Sequence, residues 1–565
     1  MSRHFLVLIL SLLALCRSFT VPTPSDYFVT GLDVYGNTDE LHAGYMPLTL
    51  GPEANDEGAF FFILVKARKP TTRLVVWLNG GPGCSSMVGF MWENGPFTAV
   101  KDSEKGYVLT RNAYAWNEEA NMLFVEQPIR TGYSTATRDA RIVHNEAQVS
   151  EDFYKFLVSF LTVFINDYQS SEIYISGESY AGMYIPYMAA YVVKKQAKQK
   201  LLGAIHVNLQ GVAIGNGAID PLQDLSYSEY AYMHGLIPLL AKEKIDRDAQ
   251  KCYDRQKATD KKTPKSPRKA ICDIMAAVLD AAGRPNEYDT GTFKEYTTIV
   301  QPGGVFDQFF NDPVVQKALH VRGAHPIPGI NFVPETGSID PETSLFTPGK
   351  WQCCNDDINE AFSEDFFTSV PALHYLSETP GFRVLLYSGE RDLNTNFLGT
   401  LHTLESQLWM NRPWSSATRS LWRFEGDVAG EHMTLGDGKF SFLIVRNSGH
   451  LLPMDIPRQA LDMFQRFLNN VSFADVPLPS EESYGKHSLE GASQALSTEN
   501  SSFSLATLAL IWIALILAVI AAAIARSKSR GGFAAVPPTM MDTTPTEFPA
   551  IQLKTVAGSY QRIDL

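Results

Sequence analysis

Runs of β-branched, aliphatic and aromatic residues recur along the chain: Arg73–Leu78 (RLVVWL), Met122–Val125, Ile173–Ser176, Val207–Ile214, Arg383–Tyr387 and Phe442–Val445. Several are nearly continuous apolar stretches, which is how a strand covered on both faces reads. Helical patterns such as Glu146–Leu161 and Gln459–Leu468 separate them. This alternation predicts an α/β fold with a central, mostly parallel sheet and helices on both faces. Between about Leu222 and Thr347 the rhythm breaks, with Cys252, Cys272 and the basic run KKTPKSPRK (Lys261–Lys269) among weakly apolar helices. That stretch, 222–347, reads as a cap inserted over the sheet and stapled by Cys252–Cys272. Its basic run reads as a solvated loop open to proteases.

The two ends set the topology. Arg3 precedes an apolar core, Phe5–Cys16, that is too short to span a bilayer, and Ala14 and Cys16 supply small residues at a cleavage site. Residues 1–16 are therefore expected to be a secretory signal peptide. Phe503–Ala525 runs 23 residues without a charge. A helix of that length reaches about 34 Å, enough to cross the hydrocarbon. Arg526, Lys528 and Arg530 follow at once, which places residues 526–565 in the cytosol. Residues 476–502, rich in Ser, Glu and Gly, read as a flexible stalk, leaving 22–475 as a luminal globular part. A formal charge of -13 argues against nucleic-acid binding, which calls for a basic patch or stripe.

Loss of the signal peptide leaves Cys84, Cys252, Cys272, Cys353 and Cys354. In an oxidising lumen this odd set predicts two bridges and one spare thiol. Of the sequons at Asn470 and Asn500, the second lies close to the membrane, so Asn470 is the expected glycosylation site.

One serine sits in an elbow-like frame, SGESYAGMYIP (Ser176–Pro186). Nucleophile elbows follow G-x-S-x-G, and here Gly177 precedes Ser179 while Ala181 stands at the second glycine position. If Ser179 is a nucleophile of the α/β-hydrolase fold, an acid and then a histidine should follow, each just after a later strand. Among the late histidines, His487 falls in the stalk, and His402 and His432 do not directly follow a strand. His450 follows Phe442–Val445 through Asn447-Ser448-Gly449, and Asp392 follows Arg383–Tyr387 through Ser388-Gly389. The turn WLNGGPGCSS (Trp77–Ser86) exposes backbone N–H groups after a strand. Gly81 N–H and Tyr180 N–H would form an oxyanion hole, although such a turn alone serves tight packing equally well.

These blocks, with AIGNGAIDP (Ala213–Pro221), SGERDLNTNFLG (Ser388–Gly399), NSGHLLPMDIP (Asn447–Pro457) and EQPIRTGYS (Glu126–Ser134), resemble the signature blocks of the serine carboxypeptidases. The likeness covers nearly the whole luminal part, in order. The family's elbow itself reads G-E-S-Y-A-G, so Ala181 fits it. The resemblance implies a relay of Ser179, Asp392 and His450. It also implies a pocket for the substrate's C-terminal carboxylate made by Asn79, Gly80, Glu93 and Glu178. A buried carboxylate needs donors, and a glutamate donates only while protonated, a state favoured when carboxyl groups crowd together. By the family's W-x-x-C spacing, Trp351 points to Cys354 as the partner of Cys84, leaving Cys353 free. Two departures stand out: Thr395 replaces the family's frequent cysteine before Asn396, and Glu126-Gln-Pro-Ile-Arg130 replaces the commoner Asp-Gln-Pro-x-Gly.

No metal or cofactor is expected. The partners expected are peptide or protein C-termini and the membrane, with a clathrin adaptor reading Tyr560 and Ile563 in the tail. The anchor is similar to that of the pheromone-processing type, which trims basic residues in late Golgi membranes; an endosomal or vacuolar-lysosomal setting fits the same topology. An acyltransferase on the same scaffold and a non-enzymatic binding ectodomain are the alternatives.

Overall fold

The computed structural model describes residues 21–50, 58–104, 106–136, 143–198, 204–259, 273–292, 304–323, 337–339, 346–362 and 368–478. The expected signal peptide, the basic run, Cys272 and with it the expected bridge to Cys252, nearly all of the stalk, Asn500, the apolar span 503–525 and the tail motif of Tyr560 and Ile563 lie outside the described residues. No helix among the described residues is long and apolar enough to cross a membrane.

An 11-stranded sheet organises the fold. In chain order its strands are β1 (Leu41–Pro47), β2 (Ala59–Val65), β3 (Arg73–Leu78), β4 (Asn121–Glu126), β5 (Glu172–Glu178), β6 (Leu209–Gly215), β7 (Arg383–Gly389), β8 (Thr418–Phe424), β9 (Asp427–Leu435), β10 (Phe440–Val445) and β11 (Val476–Pro477). Across the sheet they lie in the order β1-β2-β4-β3-β5-β6-β7-β10-β9-β8-β11. From β4 to β10 neighbours run parallel, while both flanks are antiparallel. The sheet is thus mixed, which corrects the expectation of a mostly parallel one.

The difference has a physical cause. The central strands β3 and β4 are buried along nearly their whole length and announce themselves as apolar runs. β8 fully buries only Ser420 and Trp422 and exposes Thr418 and Arg423, so its composition resembles a loop. Glu425 and Gly426 close β8 onto β9 with φ of 52° and 95°, the positive values of the two-residue hairpin turns that match strand twist. Val476–Pro477, at the start of the expected stalk, pairs with β8 through Ser420 and Leu421.

Helices cover both faces. On one, Phe60 and Phe62 of β2 pack against Phe156 and Phe160 of the helix Glu146–Val163 at ring separations of 5.5 and 5.6 Å. On the other, Phe464 of the helix Pro457–Asn469 stacks 4.0 Å from Trp116, which meets Trp77 of β3 edge-on at 5.3 Å. Each such ring, fully buried, contributes roughly 1.5–3 kcal/mol.

The stretch between β6 and β7 has two parts. Its helices Tyr227–Met233, Leu239–Thr259 and Ile274–Ala282 share a small core of their own, closed by Leu393 and Leu398. Phe306, Phe309 and Phe310 of the helix Val305–Asn311 belong instead to the main core. The first part therefore sits beside the loop that follows β7, and the second completes the body of the domain.

Candidate active site

Adjacent parallel strands β5, β6, β7 and β10 end on one edge of the sheet, where α/β proteins bind ligands. Ser179 follows β5, Asn216 follows β6, Asp392 lies three residues past β7 and His450 lies beyond β10. The sheet thus collects residues far apart in sequence at one edge.

Ser179 has φ of 63°, the left-handed conformation that non-glycine residues adopt mainly under local constraint. Its backbone is held on three sides. Ser179 N–H donates to Gly215 O at 3.1 Å, and its carbonyl accepts from Gly182 N at 2.9 Å and Ala218 N at 3.0 Å. The turn after β3 lies directly on this elbow. A Cβ at Gly80 would sit 2.3 Å from Tyr180 N and 2.9 Å from Ser179 Cβ, so glycine alone permits the contact. Gly81 N–H donates to no backbone carbonyl among the described residues.

His450 and Asp392 form a buried pair, with 2.8 Å between Nδ1 and Oδ2. Asp392 Oδ2 also accepts from Asn216 Nδ2 at 2.7 Å and Thr395 Oγ1 at 2.8 Å, while Oδ1 accepts from Asn394 N at 2.9 Å. Thr395 Oγ1 lies 3.1 Å from His450 Nδ1 as well. The hydroxyl that replaces the family's thiol therefore braces the pair directly. His450 is further fixed by its own N–H, which donates to Tyr288 O at 2.7 Å, and by the Tyr288 ring, edge-on at 5.0 Å. Burial alone would lower the pKa of His450, but the Asp392 charge and hydrogen bond, with Glu93 and Glu287 nearby, outweigh it and raise the imidazole above its ordinary value. No hydrogen bond joins Ser179 Oγ to His450 Nε2 among the described residues; in unliganded enzymes such bonds are often long and tighten with substrate.

Beside the elbow lies a carboxyl cluster. Asn79 Nδ2 donates to Glu178 Oε1 at 2.9 Å and to Glu93 Oε1 at 3.2 Å, and its Oδ1 accepts from Trp77 Nε1 and Gly89 N. Those two N–H donors fix which way the amide points. Glu93 and Glu178 are both buried, and Glu93 Oε2 has no hydrogen-bond partner. Burial raises Glu93 to about 7. Burial and the neighbouring Glu93 carboxyl, hydrogen-bonded to it, push Glu178 well up. Crowded, desolvated carboxyls retain a proton between them at neutral pH.

The glycine-rich turn is tied down by a second carboxylate. Glu126, fully buried at the end of β4, accepts from Ser85 Oγ, from Trp351 Nε1 at 2.8 Å and from Tyr133 N at 2.5 Å. Next to Ser85, Cys84 is bonded to Cys354, as the resemblance implies, and Ser85 N–H donates to Cys353 O at 2.7 Å. Among the described residues Cys353 is a free thiol, its pKa pushed by burial up to about 12. Arg130, where the family commonly has glycine, takes φ of 76° and accepts from Asn355 Nδ2 through its carbonyl at 2.8 Å. Its backbone keeps the left-handed conformation that glycine would adopt freely.

Burial raises Glu126 from 4.5 to about 7, against hydrogen bonds that lower it. The fold therefore prefers the protonated form. The stability this gives is complete below the unfolded value and is lost as pH rises through about 7. Tm should fall from about pH 5 to about pH 8, and less steeply in Glu126→Gln, which carries no charge there. Equal slopes in thermal melts of the two proteins would assign the pH dependence elsewhere.

Of the residues singled out by the sequence, Ser179, Tyr180, Gly80, Gly81, Asn79, Glu178, Asp392 and His450 lie on the β3, β5, β7 and β10 ends or in the turns leaving them, and Glu93 ends the short helix Gly89–Glu93 that follows the β3 turn. Asn216, Thr395 and Tyr288 join them as partners that the sequence reading does not assign. Asn216 stands inside a signature block, but a neutral amide signals no chemistry until its strand neighbour is known. Among the described residues, no cluster of His, Cys, Asp and Glu could hold a metal ion.

Comparison with known proteins places this arrangement. The family profile described as serine carboxypeptidase matches residues 34–336 and 337–470. Serine carboxypeptidase S10 family member 2 of Dictyostelium discoideum is 30% identical over 80% of this chain and 78% of its own. Serine carboxypeptidase 3 of Hordeum vulgare is 32% identical, covering 75% and 77%. The pheromone-processing carboxypeptidase KEX1 of Metarhizium robertsii is 31% identical, covering 81% and 73%. In fold, the chain is similar to a prohormone-processing carboxypeptidase from Saccharomyces cerevisiae, with a TM-score of 0.64 at 23% identity over 80% of this chain and 97% of that one.

Proposed function

The chain belongs to the serine carboxypeptidase family, and from that premise we propose that it removes single residues from peptide or protein C-termini through an acyl-enzyme on Ser179. The observation that carries the assignment of roles is the buried His450–Asp392 pair on the same sheet edge as the left-handed Ser179. His450 Nε2 takes the hydroxyl proton as Ser179 Oγ attacks the scissile carbonyl. Gly81 N–H and Tyr180 N–H hold the oxyanion. His450 then passes the proton to the leaving amine as the C–N bond breaks. Water, deprotonated by the same imidazole, releases the acyl group. Asp392, accepting from Asn216 and Thr395, fixes the tautomer with Nε2 toward the serine.

Restriction to chain ends comes from the carboxyl cluster. Glu93 and Glu178, protonated, donate to the substrate's terminal carboxylate with Asn79 and Gly80. An internal peptide bond presents no such anion, and a buried donor left unpaired costs about 1–3 kcal/mol.

We place the catalytic domain in the lumen of the late secretory or vacuolar-lysosomal system, on a single membrane span at 503–525, with the tail available to a clathrin adaptor. The kinship with pheromone-processing enzymes and the charge-free run before Arg526 support this setting. Incubating the purified luminal domain with a mixed peptide library and sequencing the shortened products tests the assignment. Sequential release of C-terminal residues is expected, and rich in lysine and arginine if the enzyme trims basic ends. Internal cleavage, or no cleavage while a fluorophosphonate leaves Ser179 unlabelled, would overturn it.

A further inference from the structure

A second cavity of about 360 Å³ opens at the other end of the sheet, lined by residues from Arg383 at the start of β7 to Ala474. β7 alone, at about 3.3 Å per residue, separates its two ends by roughly 20 Å, so this cavity is no part of the peptide site. Its floor is polar. Buried His432 lies between Ser420 Oγ at 3.3 Å and Ser441 Oγ at 3.1 Å, and Ser441 donates on to Thr434 Oγ1 at 3.0 Å. Burial lowers His432 to about 4, so the floor is uncharged at neutral pH. Phe467 and Phe473 form apolar walls, and exposed Arg412 and Asp437 stand at the rim.

Asn470 is itself part of the wall. It caps the helix Pro457–Asn469 at φ of 53°, is exposed, and its side-chain amide makes no hydrogen bond among the described residues. It heads the sequon Asn470-Val471-Ser472. The nearest chemistry that could occupy the space is therefore one attached at this amide.

We infer that the cavity seats the first sugars of an N-linked glycan on Asn470. The attachment exchanges one bond for another. Asn470 Nδ2 bonds to the anomeric carbon of a lipid-pyrophosphate-linked oligosaccharide, the carbon–oxygen bond to the pyrophosphate breaks, and the amide nitrogen loses one proton. A sugar ring offers an apolar face and a hydroxyl edge, which suits aromatic walls above a neutral hydroxyl floor. At the rim, the guanidinium of Arg412, which also donates to Ser416 O at 3.3 Å, and the carboxylate of Asp437 would meet the outer hydroxyls. The seating would pin the segment 471–478 that links the last long helix to β11.

This rests on the luminal placement proposed above. The test is the full chain made in a glycosylating secretory host. Glycopeptide mass spectrometry should find Asn470 occupied. An amidase that removes N-glycans should release the glycan at least about tenfold more slowly from native than from denatured protein, the protection expected of a docked group. The double variant R412A/D437A should lose most of that protection, while S472A should lose the glycan and keep peptidase activity. A bare Asn470 in chains whose Cys84–Cys354 bond has formed would overturn the inference and leave the luminal placement standing. So would native release as fast as denatured. A bare Asn470 with reduced Cys84 and Cys354 would overturn both.

Discussion

A Ser179→Ala enzyme should fold, bind peptide and turn it over more slowly by a factor on the order of 10⁶, the scale of losing an activated serine nucleophile. The fold should survive because the elbow is held by backbone bonds to Gly215, Gly182 and Ala218, none of which involves the hydroxyl. The hydroxyl itself makes no bond to His450 among the described residues, so its removal leaves no buried partner stranded. KM should change little, because the groups that hold the terminal carboxylate remain. His450→Ala should cost a similar factor, and the double variant scarcely more, because members of a relay act as one unit. Circular dichroism with steady-state and single-turnover kinetics separates these outcomes. A Ser179→Ala enzyme within a hundredfold of wild type, or independent losses that multiply, would remove Ser179 from the mechanism.

The second large effect is on pH. The Glu93–Glu178 pair donates to a substrate carboxylate only while protonated, and Glu93 is raised to about 7. KM for a free-acid peptide should therefore be constant on the acid side and climb above neutrality, approaching about tenfold per pH unit for one required proton. A peptide with an amidated C-terminus lacks the anion and should bind poorly at every pH. The double variant Glu93→Gln/Glu178→Gln places N–H donors that do not titrate at both positions, so its KM should flatten between about pH 6 and about pH 8 even if its value at low pH is higher. A wild-type KM that stays level over that range, with kcat alone changing, would mean the carboxyls do not hold the substrate in this way. Proton loss from Glu93 also adds negative charge beside His450, one of the influences that raise its pKa. Binding and proton transfer are thus linked through Glu93.

Ser179, Asp392 and His450 are legible in the sequence because each follows an apolar run that had to be a buried strand, and the ends of such strands are where α/β folds carry chemistry. Their supports are less legible. Thr395 and Asn216 meet Asp392 only because β6 and β7 are neighbours, which residue type does not announce. The flanking strands escape for a different reason. β8 and β9 expose part of their length, and β1, though buried throughout, carries glycine, histidine and proline that blur the apolar run. The Glu126 substitution, opaque as a letter in EQPIRTGYS, becomes intelligible once Ser85, Tyr133 and Trp351 are seen around one carboxylate.

The Cys84–Cys354 bond joins positions 270 residues apart, and the whole stretch between β6 and β7 up to Trp351 lies inside the loop it closes. A protease nicking the basic run at 261–269 would divide the enzyme into a fragment with the nucleophile and a fragment with its acid and base. Neither could drift away. The product would be a two-chain enzyme that migrates as one species until reductant is added, and whose maturation would go unnoticed on a non-reducing gel.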